Sequence, residues 1–220
     1  MFQYAQYMRR VTGFLLALVL VSTTASSWAD NDTLPPPVYD IPFDDIDPAI
    51  TQVALSKEVT NFVSTVHRHW GTGLDSLRQS VTGSVEREDR STLVLGRSLA
   101  DHDIVEGYDF HEGALIGGQY LLLQRPVNGL NEFIDYFAAA KQALTATYGS
   151  PIRDQLVWEN DLYQPLPDYW GVAVQIGHLT YQARWETSST SISLELKGQH
   201  HSRLSVTVVA QDPSHPRRQT

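Results

Sequence analysis

The 220-residue chain contains no cysteine, and that absence removes a whole set of chemistries. A disulfide scaffold, a Cys-ligated zinc or iron–sulfur site, a thiol nucleophile and a lipid-modified N-terminal cysteine are all excluded. Basic residues are scarce as well: 16 Lys and Arg stand against 25 Asp and Glu, a formal net charge of −9. That is the wrong sign for a general nucleic-acid binder, which needs a basic face to displace counterions. After the N-terminus no apolar run approaches the roughly 20 residues of a membrane helix, so no further span is expected. Catalytic signatures are equally thin. Neither a Gly-x-Ser-x-Gly elbow nor a Ser-x-x-Lys occurs, and His111-Glu112 lacks the second His that a zinc-protease helix carries four residues after the first.

What is present is the balance of a foldable protein, 42% hydrophobic and 19% charged. Residues 1–29 have the three parts of a secretory signal: Arg9 and Arg10, the apolar stretch 14–21, and Ser27-Trp28-Ala29. Cleavage is expected after Ala29, with the product periplasmic or secreted. Residues 30–48 mix Pro35, Pro36, Pro37, Pro42 and Pro48 with Asp32, Asp40, Asp44, Asp45 and Asp47. Such a segment neither propagates a helix nor buries apolar surface, and reads as a disordered tether. Residues 211–220 read as a disordered tail.

Between these ends lies one α+β domain, residues 49–210. A weak helical stretch over 49–59 is followed by Phe62 to His69, whose alternation predicts a short strand. Thr72 is placed to cap a short helix whose stripe is Leu74, Leu77 and Val81, ended by Gly83. Strands are expected at 92–99, 103–110 and 114–124, the last two joined by the turn His111-Glu112-Gly113. Asn131 then caps the clearest helix, with Phe133, Phe137, Ala140 and Leu144 on one face and Tyr148-Gly149-Ser150-Pro151 at its end. A strand near 155–159 follows. Residues 168–176 favour a short helix with Gly177 after it, and 179–185, 192–196 and 204–208 alternate as half-buried strands. The order is a helix followed by three strands, twice, over units of about 62–126 and 129–210. This predicts short helices packed on antiparallel sheet.

Several strings carry a resemblance. Trp70-Gly71-Thr72-Gly73-Leu74-Asp75-Ser76-Leu77, Tyr148-Gly149-Ser150-Pro151, Trp158-Glu159-Asn160-Asp161-Leu162-Tyr163, Trp170-Gly171-Val172-Ala173-Val174 and Gly177-His178-Leu179-Thr180-Tyr181 through Trp185-Glu186-Thr187 resemble a widespread, uncharacterised family of exported bacterial proteins. The likeness runs from about Phe62 to Val209 and brings no established activity. The chain departs from the family pattern at Ser80-Val81, where Ser-Glu is usual. More distantly, a Gly-led helix followed by antiparallel sheet looks like the fold of the outer-membrane assembly lipoprotein BamE (the SmpA/OmlA group) and of the β-lactamase inhibitory protein. That likeness implies a binding protein, and the missing lipid-bearing cysteine stands against a BamE-like role.

Candidate chemistry is then sought in the polar side chains. His67 and His69, two apart on a strand, would share a side, and His200 and His201 in a turn could approach them as metal ligands. Asp101-His102-Asp103 is another such group. Glu106, Asp109 and Glu112 on one hairpin, or Glu159 and Asp161, supply carboxylates for general acid and base work. Each set also has an ordinary structural explanation, and no cofactor is expected. The residues expected to bind are Trp158, Asp161, Tyr163, Trp170 and His178, in and around a loop rich in aromatics. The expected function is a non-catalytic module that binds an envelope protein. The alternative is a metal-dependent or carboxylate-based hydrolase acting on envelope material.

Overall fold

A computed structural model of the chain describes residues 48–99, 102–124, 131–198 and 202–210. Residues 1–29, expected as a signal, residues 30–47 of the expected tether, the expected tail 211–220, and Asp101, His200 and His201 lie outside them. Pro48 opens α1, Pro48–Arg68, where its missing N–H would have had no helical partner. The buried stripe of α1 is Leu55, Val59, Phe62, Val63 and Val66, a 3.6-residue period. The strand expected over Phe62 to His69 is therefore helix through Arg68 and turn beyond it. Phe62 and Val66, whose alternation suggested a strand face, are held helical because they belong to a stripe that packs on the sheet.

A turn leads to α2, Leu74–Arg78, which is shorter than expected. Gly73, not Thr72, is its N-cap, and the Thr72 hydroxyl instead donates to the His69 carbonyl at 2.7 Å. The strands β1 Ser84–Glu88, β2 Thr92–Leu99, β3 His102–His111 and β4 Ala114–Gln124 form one meander. After α3, Glu132–Tyr148, come β5 Arg153–Trp158, a 3-10 turn Pro167–Tyr169, α4 Trp170–Gln175, β6 Leu179–Glu186, β7 Thr190–Gly198 and β8 Ser202–Ala210. Each meander thus has four strands rather than three.

All eight strands belong to one sheet in the order β1-β2-β3-β4-β8-β7-β6-β5. Every neighbouring pair is antiparallel, so the class is α+β, and the two meanders join where β4 pairs with β8. Helices α1 and α3 lie side by side, with His67 Nδ1 of the last turn of α1 at 3.3 Å from Tyr148 Oη of the last turn of α3. They cover one face of the sheet, and the core sits beneath them. Close approach needs glycine at two places. A Cβ on Gly118 would lie 3.0 Å from Phe62 Cζ and Val66 Cγ2, and one on Gly198 would lie 2.3 Å from the Val174 carbonyl oxygen of α4.

The opposite face carries no helix among the described residues. The register puts Gly96, Val105, Leu121, Ser205, Glu195, Gln182 and Gln155 in one row across it, from β2 to β5. Gln155 Nε2 donates to Gln182 Oε1 at 2.9 Å and Gln182 Nε2 to Glu195 Oε1 at 3.3 Å. The row is apolar and buried at Gly96 and Leu121, buried at Ser205, and polar and half-buried at Glu195, Gln182 and Gln155 toward β5. No helix among the described residues is long and apolar enough to cross a membrane.

Candidate functional site

The chain between β5 and β6 leaves the sheet at Trp158 and returns at Leu179, and hydrogen bonds close it into a compact loop. At its base the Glu159 N–H donates to the His178 carbonyl at 2.8 Å. Asn160 Oδ1 takes the Leu162 N–H at 3.0 Å, a side chain standing in for a turn of backbone. The Asp161 carbonyl then takes the Gln164 N–H at 2.9 Å. Trp170 Nε1 donates across the loop to the Gln164 carbonyl at 3.3 Å. Gly177, at φ 80°, follows α4 as expected and turns the chain back into the sheet.

Asn131 fixes this loop to α3. It occupies the N-cap position, but its side chain makes no cap bond. Its Oδ1 instead accepts the Gly171 N–H at 2.8 Å, and its Nδ2 donates to the Pro167 carbonyl at 3.2 Å. One residue thus ties the start of α3 to the start of α4.

Four of the five residues singled out for binding meet here. Trp158 and Trp170 pack edge to face with centroids 5.7 Å apart, and Tyr163 lies 6.0 Å from the His178 ring and 6.5 Å from Tyr169. His178 Nδ1 is buried with no hydrogen-bond partner. Asp161 is exposed on the same loop. Trp158, Tyr163 and Trp170 are partly buried against the core and line the inside of the loop. Its exterior is mixed: Glu159, Asn160, Asp161, Gln164 and Asp168 are exposed there, alongside the apolar Leu162 at 62%, Leu166 at 46%, Tyr169 at 48% and Ile176 at 47%. No periodic pattern announces these four, because they lie in turns and helix ends rather than along one face.

The metal candidates diverge. His67 meets Tyr148, and burial lowers its pKa, while His69, in the turn after α1, has Nε2 at 2.8 Å from Ser80 Oγ. Among the described residues no group of three or more His, Asp or Glu is arranged to hold a metal ion. Nor do the carboxylates of the β3–β4 hairpin share a cleft. Glu106 points to the helix side, where Arg97 holds it at 2.8 Å and the Tyr108 hydroxyl donates to it at 2.7 Å. Asp109, three residues on, points to the opposite face, as the strand period requires, and burial pushes its carboxyl up to about 6. Glu112 sits in the turn at φ 51°, Glu159 and Asp161 are both exposed, and Asp103 stands 3.4 Å from Ser98 Oγ.

Sequence reasoning passed over Arg97. It bridges Glu106 to Glu58 of α1, and its only sequence signal is its place nine residues from Glu106 across a hairpin. No family model, curated protein or solved structure matches the chain.

Proposed function

We propose that this chain is a non-catalytic, exported protein-binding module that docks an envelope protein on the loop between β5 and β6. The observation that carries the reading is a braced loop that leaves four large apolar side chains exposed among acidic and amide ones. Leu162, Leu166, Tyr169 and Ile176 stand out from a segment whose aromatic interior and Asn131 tie already fix its shape. Burying the remaining exposed part of one such side chain at an interface contributes about 1 kcal/mol. A loop fixed beforehand loses little further entropy on binding. Exposed apolar side chains grouped in this way are a mark of recognition surfaces. Export rests on the three-part pattern of residues 1–29, and the resemblance to exported binding folds points the same way.

The test is crosslinking capture in the native envelope with the parent chain and with a Leu162→Asp, Leu166→Asp variant. The reading expects a stoichiometric protein that binds the purified parent saturably and is lost at least about tenfold with the variant. Equal recovery with both chains, or no saturable protein, overturns it.

A further inference from the structure

We propose that β5 is a self-pairing edge, through which two copies of this chain join antiparallel, β5 to β5, into one continuous sheet. Among the described residues the eight-stranded sheet ends at β1 on one side and β5 on the other, and the two edges are built differently. β1 is broken by a register shift between Val85 and Arg87 and carries Glu86, Arg87 and Glu88. A bulge and a run of charges are standard guards against strand addition. β5 pairs with β6 over all six of its residues without a shift, and holds no proline or lysine. Its outer side shows Leu156 at 44% exposed, and Ile152 just before it at 62%.

The free backbone groups can be located. Glu159 N–H donates to His178 O, and continuing the ladder's alternation makes the odd positions of β5 bond to β6. The N–H and C=O of Asp154 and Leu156 then face outward. A copy related by a two-fold axis normal to the sheet keeps both pairs of helices on the same side and matches the side-chain period. With Gln155 opposite Gln155 of the second copy, Asp154 meets Leu156 and Arg153 meets Val157, and no like charges oppose. Ile152 lies outside this ladder, since its N–H turns inward to the Arg184 carbonyl at 2.8 Å. Sliding so that Asp154 faces itself opposes two carboxylates and is disfavoured.

A groove beside the edge completes the fit. It runs between β5 and α3, has a volume of about 360 Å³, and is lined by Ile134, Phe137, Ala138, Leu156 and Tyr181, with Asp154 and Lys141 at 3.0 Å on its rim. The Tyr181 side chain beneath it has a hydroxyl with no hydrogen-bond partner. In the Gln155-centred register, Leu156 of the second copy comes over Asp154 and onto this groove.

Sedimentation of the purified protein over a concentration series tests the pairing. The expected result is a mass twice that of one chain, with dissociation made about tenfold or more easier by Leu156→Lys, an edge guard at an already exposed position. Far-ultraviolet dichroism of that variant should match the parent, and its melting temperature should lose the concentration dependence that a dimer confers. Because the chain has no cysteine, Gln155→Cys adds a single thiol at the axis and should oxidise to a linked dimer. Arg153→Cys, which faces Val157, should do so far more slowly. A monomer at every concentration, a dimer unweakened by Leu156→Lys, or equal crosslinking of the two thiols overturns the proposal. The loop variant Leu162→Asp, Leu166→Asp leaves β5 intact and should still dimerise, so failure here and failure of the partner reading are separable.

Discussion

Arg97 links three elements through one side chain. From β2 it reaches Glu58 on α1 and Glu106 on β3, and Glu106 also receives the Tyr108 hydroxyl. Glu106 is 7% exposed, so removing the guanidinium strands a carboxylate in a place where water cannot replace it. Arg97→Met should cost about 3 kcal/mol in the denaturant midpoint. Arg97→Met with Glu106→Leu should recover most of that loss, because the lone charge is then gone. A single variant within 0.5 kcal/mol of the parent would sink this account (that is about the spread of ordinary surface changes). Asp109 makes the opposite case. Its folded value of about 6 lies above the unfolded value of about 3.9, so between those limits the folded protein holds more protons than the unfolded chain. Stability therefore falls as pH rises from about 4 to about 6. Asp109→Asn should flatten that slope and raise stability at neutral pH by on the order of 1 kcal/mol. A slope unchanged in the variant assigns the pH dependence to another group.

At the scale of elements, much was written in the hydrophobic period, and the exceptions are instructive. The strands β2, β3, β6 and β7 largely alternate because one face of each meets the helices, whereas the central β4 and β8 bury Tyr120-Leu121-Leu122 and Leu204-Ser205-Val206 in succession. The stripe of α3 is equally plain, with Phe133, Phe137, Ala140 and Leu144 all buried. β1 was illegible for a physical reason: four of its five residues are exposed, so an edge strand of this kind has no buried period to display. The C-terminal half of α1 misled because Phe62 and Val66 satisfy both a strand face and a helix stripe. Only the longer series from Leu55 onward separates them. The aromatic members of the candidate site were legible as types, whereas their convergence depended on Asn131, forty residues from its bond partner Gly171. Packing of α4 offers a direct check. Gly198→Ala would push a methyl group against the Val174 carbonyl and Gln175 backbone, atoms that no side-chain rotation can move. The expected loss is about 2–3 kcal/mol, read as a lower melting temperature together with weaker partner capture as α4 shifts. Unchanged melting would mean that α4 yields easily.

For the whole molecule, the two meanders share β4–β8 pairing and a single helical layer, with no bulge between them. Units joined by a full ladder and a common core unfold together. Calorimetry should show one transition, with the calorimetric and van't Hoff enthalpies equal, and two separate transitions would show that the halves are independent. The strand order adds a consequence for how the molecule comes into being. The last strand in the sequence, β8, occupies the middle of the sheet, so neither meander can be sealed until the final residues of the fold have arrived. Until then β4 presents an open seam down its length. A chain stopped before Ser202 would hold nearly every element of the fold, yet would be a pair of unjoined halves ready to seize any stray strand.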